Sequence, residues 1–278
     1  MQNRTRRLLN IAVGAAAIAI PSFASAAVLI NDTFTYSDGA IVTVSSNAWI
    51  QNSGSGTYNV VSNRLLSTDN DATFPTGGAA DTADFYRAFT QQAKTDTTYA
   101  SFTLNVTSGD LPTITVASSA PYFAHFMAST TSGAVSTSTF VAKTFLMGGT
   151  TAGTFKLGLS SNSNTVQSSI DNLAADTDYK VVLSFNGTTH VATLDLYTTS
   201  NILLAAGISG EDFAGYTVSS IAGLAGFQFR TSGASDGDKF IDNLLVGSSY
   251  TDVVPEPSSL SAAGASSLLV LLKRRKRA

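Results

Sequence analysis

The sequence predicts an all-β fold in which two antiparallel sheets pack face to face as a sandwich. No segment carries a sustained helical period, whereas several segments alternate apolar and polar residues with a period of two. Residues 100–107, for example, place Ala, Phe, Leu and Val on one face and Ser, Thr and Asn on the other. One buried and one solvated face is typical of antiparallel sheets.

The composition agrees with this fold class. Only 13% of the residues are charged, about half the share found in ordinary globular domains. Ser, Thr, Asn and Gly abound instead, which favours strands and turns over helices. The chain has no cysteine, so disulfides and thiolate chemistry are excluded. The roughly 227 residues between the two ends suit one β-sandwich with a large core better than two small domains.

The strongest local signal is a hairpin around Asn186-Gly187. Residues 179–185 alternate as a strand and run into this dipeptide, which is a preferred hairpin turn. The return strand, residues 190–198, directs its Ala and Leu side chains inward. Further predicted strands are 28–35, 58–66, 84–90, 100–107, 122–128, 140–147, 155–159, 222–230 and 239–246, and residues 210–215 are predicted to form a single helical turn. Roughly a dozen strands without intervening helices favour two packed antiparallel sheets.

Residues 1–26 have the three parts of a secretory signal peptide. An apolar run at residues 8–20 follows a basic start, and the segment ends in a small-residue cleavage site. The basic residues are Arg4, Arg6 and Arg7, and the predicted cut after Ala26 is marked by Ala24 and Ala26. The alternative, a first transmembrane helix, is disfavoured because the run is short and ends at Pro21.

Residues 253–278 form a second distinct segment. The triplet Pro255, Glu256 and Pro257 precedes an apolar stretch of 13 residues, 260–272, whereas about 20 apolar residues normally span a bilayer. Five consecutive cations end the chain: Lys273, Arg274, Arg275, Lys276 and Arg277. Because such a basic stop resists translocation, the C-terminus is expected to stay cytoplasmic while the domain lies outside.

The basic residues at the two ends offset the negative charge of the central part. Residues 27–253 contain 8 basic and 18 acidic residues, a net charge of −10, although the whole chain carries only −3. A basic patch suited to nucleic acid is therefore not expected, and nucleic acid is excluded as a partner.

Several phrases of the sequence resemble a family of bacterial surface proteins: LINDTFTYSDGAIV, TYASFTLNVT, PYFAHFMAS, AGTFKLGLSS and KFIDNLLVGSSYTDVVPEP. Members of this PEP-CTERM family carry a concanavalin A-like, or laminin G-like, jelly roll followed by a Pro-Glu-Pro sorting signal. The resemblance implies a jelly-roll sandwich over residues 27–252. It also implies that an exosortase-type membrane protease recognises the tail as a transient anchor and cuts near the triplet. The mature protein is then expected at the cell surface or outside the cell, in bacteria that make extracellular polysaccharide.

One departure from the related sequences concerns the strand Thr193-Leu194-Asp195-Leu196. Related strands often carry a Trp there, so an aromatic platform at this position is missing. The fold itself is compatible with lectins, hydrolases and inert modules alike, and does not decide the function.

Enzymatic activity is not predicted. Glycoside hydrolysis needs two carboxylates at a defined separation, and apart from Glu256 the chain has only Glu211, beside Asp212. No predicted strand carries two acids on one face. A Ser–His–Asp triad would have to use His125 or His190, and no Gly-x-Ser-x-Gly motif accompanies them. We therefore predict no catalytic residues, and a hydrolase resting on Glu211 is the weakest alternative.

One structural calcium is the cofactor hypothesis. Asp32 lies in the first strand and Asp242 in the last, and the terminal strands of jelly rolls commonly pair. Calcium takes six to eight oxygen ligands, which carboxylates supply. The acidic loops 69–71 and 236–238 lack EF-hand spacing and are interpreted as ordinary Asx turns.

Carbohydrate binding is the alternative functional hypothesis. Sugar rings stack on exposed aromatic faces and hydrogen-bond to polar neighbours, as amphipathic aromatics allow. The candidate contacts are Trp49, Tyr58, Tyr86 and Arg87, and the competing interpretation places the aromatic rings in the core. The leading hypothesis is a non-catalytic surface or matrix protein associated with extracellular polysaccharide. A dedicated glycan-binding module is the alternative.

Overall fold

The computed structural model describes residues 27–68, 82–217, 219–232 and 236–254. The predicted signal peptide, the Pro-Glu-Pro triplet, the basic stop and the loop 69–71 lie outside these ranges. The strands are β1 (Val28–Asp32), β2 (Gly39–Ala40), β3 (Ile50–Gly54), β4 (Asn59–Val61), β5 (Arg64–Ser67), β6 (Ala83–Ala93), β7 (Thr97–Val106), β8 (Tyr122–Thr130), β9 (Val135–Gly148), β10 (Thr154–Ser160), β11 (Ser168–Ala174), β12 (Tyr179–Asn186), β13 (Val191–Thr198), β14 (Leu203–Ser209), β15 (Ile221–Thr231) and β16 (Lys239–Gly247). The short helices are α1 (Ile41–Val44), α2 (Tyr250–Val253) and a 3₁₀ turn (Ala214–Thr217).

These strands form two antiparallel sheets, which confirms the predicted jelly-roll β-sandwich. The nine-stranded sheet has the order β14-β13-β12-β7-β16-β5-β4-β2, and β1 pairs with β16. The seven-stranded sheet has the order β11-β10-β9-β8-β15-β6-β3. The pairing of the first strand with the last was expected from the jelly-roll resemblance. None of the helices in the described ranges is long and apolar enough to cross a membrane.

The core lies between the inner faces of the two sheets. The apolar residues predicted to face inward on β7, from Ala100 to Val106, are fully buried. Phe102 occupies the centre of this core, where its ring packs edge-on against Phe123 at 6.0 Å and Phe229 at 5.4 Å between centroids. Edge-to-face packing of this kind adds about 1 kcal/mol per pair beyond the burial of area.

The predicted hairpin around Asn186-Gly187 is confirmed, with a longer turn. Strands β12 and β13 pair from Tyr179–Thr198 to Asn186–Val191, so His190 belongs to the turn and not to the return strand. The Asn186 side chain accepts hydrogen bonds from two backbone N–H groups of the turn, at 2.8 and 2.9 Å. A Cβ at Gly187 would lie 2.1 Å from a backbone carbonyl oxygen. Only glycine fits at this position, because any side chain would clash with the neighbouring backbone.

The prediction of one continuous strand over residues 58–66 is wrong. The structure has a hairpin of β4 and β5 instead, because Ser62 and Asn63 adopt φ values of 51° and 61° and reverse the chain. Such left-handed pairs form tight hairpin turns. Strands β3, β11 and β14 were not predicted, since each is mostly exposed and lacks a clear apolar alternation. The helical turn predicted at residues 210–215 is displaced to the 3₁₀ turn Ala214–Thr217.

Helix α2 closes the outer face of the nine-stranded sheet. Val253 is fully buried and Val254 nearly so, and both pack against Val182 on β12. The Ser101 hydroxyl donates a hydrogen bond to the backbone carbonyl of Val253 at 2.8 Å. The chain is therefore held against the sandwich up to the last residue before the Pro-Glu-Pro triplet.

Candidate functional site

Asp32, predicted as a calcium ligand, lies at the end of β1 with only 4% of its surface exposed. Its Oδ1 accepts a hydrogen bond from the backbone N–H of Phe34 at 2.9 Å. Its Oδ2 accepts hydrogen bonds from Tyr36 Oη at 2.9 Å and Trp49 Nε1 at 2.8 Å. Arg87 forms an ion pair with the same oxygen. The carboxylate is therefore surrounded by donors, and a guanidinium balances its charge.

Two of the predicted glycan contacts, Trp49 and Tyr58, are core residues. The Trp49 indole is 0% exposed and stacks between Phe34 and Phe229, with centroids 5.8 Å away on each side. Tyr58 is 1% exposed, its hydroxyl accepts a hydrogen bond from Thr231 Oγ1 at 2.9 Å, and burial raises its pKa above the ordinary range. Neither ring presents a face to solvent, so their assignment as glycan contacts is corrected.

Asp32 does not fit a calcium site. Calcium needs a shell of six to eight oxygen ligands, whereas Asp32 is enclosed by N–H and O–H donors and by the cation of Arg87. A metal ion there would be repelled by the guanidinium and would displace three hydrogen bonds. The calcium hypothesis for Asp32 is corrected for this reason.

Asp242 lies apart from Asp32, on the outer face of the nine-stranded sheet. It lines a pocket of about 250 Å³ together with Asp178 and Thr103. Burial raises the pKa of Asp242, and the charges of Asp178 and Asp32 act in the same direction. Across the described ranges, no three His, Cys, Asp or Glu side chains lie close enough together to hold a metal ion.

A different cluster of polar side chains lies on the outer face of the seven-stranded sheet. We call it the polar face; its members are Asn52, Ser53, Asp84, Tyr86, Tyr122, His125, Phe140, Lys143, Gln228 and Arg230. On β6 and β15, alternation places the polar side chains opposite the core, because Phe85, Phe227 and Phe229 on the same strands are buried in it. On β3, β8 and β9, irregularities in the strands interrupt the alternation and bring residues an odd number of positions apart onto this face.

The first row of the polar face follows the strand register. Ile50 on β3 lies opposite Tyr86 on β6, Tyr86 lies opposite Gln228 on β15, and Gln228 lies opposite His125 on β8. Directly opposite residues of an antiparallel pair have Cβ atoms about 5 Å apart. The row therefore brings residues separated by up to 178 positions in the sequence into contact range.

The second row runs beside the first. Ser53 lies opposite Asp84, and Asp84 lies opposite Arg230. The Ser53 hydroxyl donates a hydrogen bond to Asp84, and Arg230 Nε lies 3.6 Å from Asp84 Oδ1. Arg230 Nη1 also donates to Tyr122 Oη at 2.5 Å. Burial raises the pKa of Asp84, although Ser53 and Arg230 oppose that shift.

Several buried polar atoms of the polar face have no hydrogen-bond partner among the described residues. They are both ring nitrogens of His125 and Nε2 of Gln228, whose Oε1 accepts from Asn52 Nδ2 at 3.2 Å. The His125 ring lies 5.3 Å from Tyr122 and 4.5 Å from Phe140, between centroids. Burial, and then the charges of Lys143 and Arg230, hold the pKa of His125 well below its usual range. The ring is therefore neutral at pH 7, with one donor and one acceptor nitrogen.

An unpaired buried polar group costs about 1–3 kcal/mol. The polar face carries this cost at His125 and Gln228, beside the half-buried rings of Tyr86 and Tyr122. Aromatic faces next to amide, carboxylate and guanidinium groups can stack against an apolar ring surface and hydrogen-bond to its hydroxyls.

Sequence reasoning found one member of this face, Tyr86, and missed its partners. His125 was considered only as a member of a catalytic triad, and Gln228 and Arg230 were not singled out. The available signal was the polar alternation within the predicted strand 222–230, where Gln and Arg alternate with Phe. Arg87, adjacent to Tyr86, points the other way, to Asp32.

The acids considered for hydrolysis lie elsewhere, on an exposed loop. Glu211 Oε2 lies 3.4 Å from Gln167 Nε2, and Asp212 Oδ1 lies 3.1 Å from Nδ1 of His190. Neither acid belongs to the polar face, so the carboxylate of that face, Asp84, is not paired with them.

No protein-family model matches the chain, and no curated protein sequence matches it. Among solved structures, the chain is similar in shape to a seed lectin isoform from Lotus tetragonolobus, with a TM-score of 0.49, 14% identity, and coverage of 78% of this chain and 96% of the lectin. A lectin from Bauhinia forficata in complex with GalNAc has a TM-score of 0.48 and 13% identity, and the match covers 81% of this chain and 99% of that lectin. The metal-free lectin I-B4 from Griffonia simplicifolia has a TM-score of 0.45 and 14% identity, and the match covers 74% of this chain and 95% of that lectin. At such identities and TM-scores, no function is carried from these lectins to this chain.

The Arg87 ion pair generates a stability prediction. Arg87→Met should lower the free energy of unfolding by about 3 kcal/mol, because it leaves the buried Asp32 carboxylate without its counter-charge. Urea denaturation followed by circular dichroism measures the change. The matched control is Arg64→Met, which breaks an ion pair whose side chains are 26% and 43% exposed and should cost about 0–1 kcal/mol. A loss for Arg87→Met no larger than for the control would contradict the prediction.

The enclosure of Asp32 also generates a metal prediction. Excess EDTA should leave the melting temperature unchanged, and millimolar calcium added afterwards should not raise it, because the carboxylate already has its donors and its counter-charge. Differential scanning calorimetry provides the measurement. A fall of several degrees with EDTA that calcium reverses would show that a metal site exists.

Proposed function

We propose that this protein is an exported, non-catalytic carbohydrate-binding protein of the cell surface or extracellular matrix, and that the polar face is its binding surface. The observation that carries the proposal is a pair of half-buried tyrosine rings, Tyr86 and Tyr122, beside the carboxylate of Asp84 and the guanidinium of Arg230. Sites for small polar ligands combine apolar and aromatic surface with a few placed polar groups.

The chemistry of the face suits a sugar better than an apolar ligand. A pyranose has an apolar ring face and a rim of hydroxyls, each of which both donates and accepts hydrogen bonds. Tyr86 and Tyr122 supply the aromatic surface. Asp84 supplies acceptors, Arg230 supplies donors, and the amide of Asn52 supplies both. In this proposal, Tyr86 and Tyr122 provide the aromatic glycan contacts that the sequence analysis assigned to Trp49 and Tyr58.

The proposed location rests on the two ends of the sequence. The signal-like segment 1–26 supports export, and the apolar stretch 260–272 with its basic stop supports a transient membrane anchor. Cleavage near Pro255, Glu256 and Pro257 by an exosortase-type membrane protease would then free the domain for the cell surface. An association with extracellular polysaccharide fits both this route and the polar face.

Carbohydrate binding is tested by affinity electrophoresis of the full-length chain in gels that contain dextran, xylan, alginate or polygalacturonate. At least one polysaccharide should retard the protein, and Tyr86→Ala should weaken that interaction about tenfold, because it removes an aromatic stacking surface. The control is the same substitution on the outer face of the other sheet, Tyr197→Ala, which should leave the retardation unchanged. Free migration in all four gels, or an equal effect of both variants, would overturn the proposal.

The processing step is tested by mass spectrometry of the protein recovered from the culture medium. Its N-terminus should be Ala27, and its peptides should end near Pro257, because signal peptidase and the sorting protease remove the two ends. Protein that remains in the membrane fraction serves as the control and should retain the tail. Peptides from residue 260 onward in the released form would contradict the processing route.

A further inference from the structure

Two cations of the polar face converge on one aromatic ring. Lys143 Nζ lies 4.9 Å and Arg230 Cζ lies 4.6 Å from the centroid of Tyr122. Both charges also act on the buried ring of His125. Two like charges held at one ring repel each other, and cation–π attraction returns only about 0.5–2 kcal/mol for each. We call Lys143, Arg230 and Tyr122 the cationic corner.

The two cations have spare hydrogen-bonding capacity. Lys143 is 6% exposed, and its Nζ donates at 2.7 Å to the neutral side chain of Asn164, which is exposed. The buried stem thus delivers the ammonium to the surface, as long cationic side chains commonly do. Among the described residues, Lys143 forms no ion pair, and the nearest carboxylate of the corner, Asp84, lies 3.6 Å from Arg230.

The hydrogen-bond inventory points in the same direction. An ammonium has three N–H donors and a guanidinium has five. Lys143 uses one of them on Asn164, and Arg230 uses Nε on Ser232 and Nη1 on Tyr122. Within the described part of the chain, the remaining donors of both groups have no hydrogen-bond partner. These donors would suit a planar or tetrahedral oxyanion.

A cluster of two cations is unusual in this acidic domain. Residues 27–253 carry a net charge of −10, with only 8 basic residues, and two of the eight meet at this corner. Arg64 and Lys156 are each paired one-to-one with a carboxylate, Asp178 and Asp171. At the corner, Asp84 lies 3.6 Å from Arg230, and Lys143 has no carboxylate partner among the described residues. The two cations therefore carry one excess positive charge, which an anionic ligand would balance.

We propose that the cationic corner binds an anionic group, a carboxylate, sulfate or phosphate, carried by an acidic polysaccharide. This inference rests on the proposed function, because it assigns the ligand of the polar face to the acidic class. Lys143 and Arg230 bind the oxyanion through their free donors, while Tyr86 contacts the sugar ring beside it.

The lowered pKa of Lys143 supports anion binding at the corner, and the pH dependence of the affinity provides a second measurement. Burial, and then the charge of Arg230, lower the pKa of Lys143 to about 8. The ammonium is present below that pH, and a bound anion raises its pKa, so affinity should be complete below pH 8 and should fall as the pH rises further. The other titratable or charged groups that face the corner are Tyr122 and His125 on β8, Asp84 on β6 and Arg230 on β15. Of these, His125 stays neutral throughout this range.

The experiment compares polygalacturonate with the same polymer after its carboxyl groups have been reduced to alcohols. Binding of the full-length chain is measured by affinity electrophoresis at pH 7 and at pH 9.5. The intact polymer should bind at least tenfold more tightly than the reduced one, and Lys143→Gln should remove most of this difference. Raising the pH to 9.5 should weaken the binding of the wild type but not of Lys143→Gln. Sulfated and phosphorylated dextran, run beside plain dextran, identify which oxyanion is preferred.

The matched control is Lys180→Gln on the outer face of the other sheet. Lys180 also donates to an asparagine side chain, Asn201, at 3.1 Å, and burial also lowers its pKa. This variant should keep the full preference for acidic polymer. Circular dichroism should show that both variants are folded, and Arg230→Gln provides a second test of the same corner.

The outcomes separate this inference from the proposed function. Equal binding of neutral and acidic polymers, abolished by Tyr86→Ala, would overturn the cationic corner and leave glycan binding standing. Retention of neither polymer would overturn both proposals. A preference for acidic polymers that Lys180→Gln removes as completely as Lys143→Gln would show that overall charge is responsible and would also overturn the inference.

Discussion

The sandwich depends on one buried carboxylate. Asp32 ends the first strand of the nine-stranded sheet, and its ion-pair partner Arg87 lies on β6 of the seven-stranded sheet. The same carboxylate holds the backbone of Phe34 and the indole of Trp49, which belong to the segment that crosses between the sheets. Because a buried charge must be satisfied by partners in good geometry, this group links the first strand, the crossing segment and the second sheet in a single arrangement.

The two outer faces of the sandwich have different physical roles. On the nine-stranded sheet, Val253 and Val254 cover apolar side chains. On the seven-stranded sheet, His125 and Gln228 are buried with unpaired polar atoms. A sequence selected for stability alone would replace such groups by apolar residues, so this part of the sheet carries a cost in stability that the other face does not.

The polar face carries a local positive charge, whereas the domain as a whole is negatively charged. The domain is acidic, and the general field repels anions at long range, but this repulsion is screened beyond about 8–10 Å at physiological ionic strength. At contact distance, the paired cations over Tyr122 dominate. If the proposed site binds an acidic polymer, its selectivity would depend on contact geometry, since the long-range field of the domain does not attract polyanions.

The sequence by itself determined the fold class and the inward residues of the regular strands, because a period of two assigns each side chain to one face of a sheet. The buried residues of β7 and β13, such as Phe102 and Leu194, were correctly assigned in this way. The tertiary structure alone decided the candidate site. Tyr86 and Arg87 are neighbours in sequence and were assigned to one patch, yet they point to opposite faces, one to the polar face and one to Asp32. The row from Tyr86 through Gln228 to His125 exists only through cross-strand register, and register depends on bulges and long-range pairing that local periodicity does not encode.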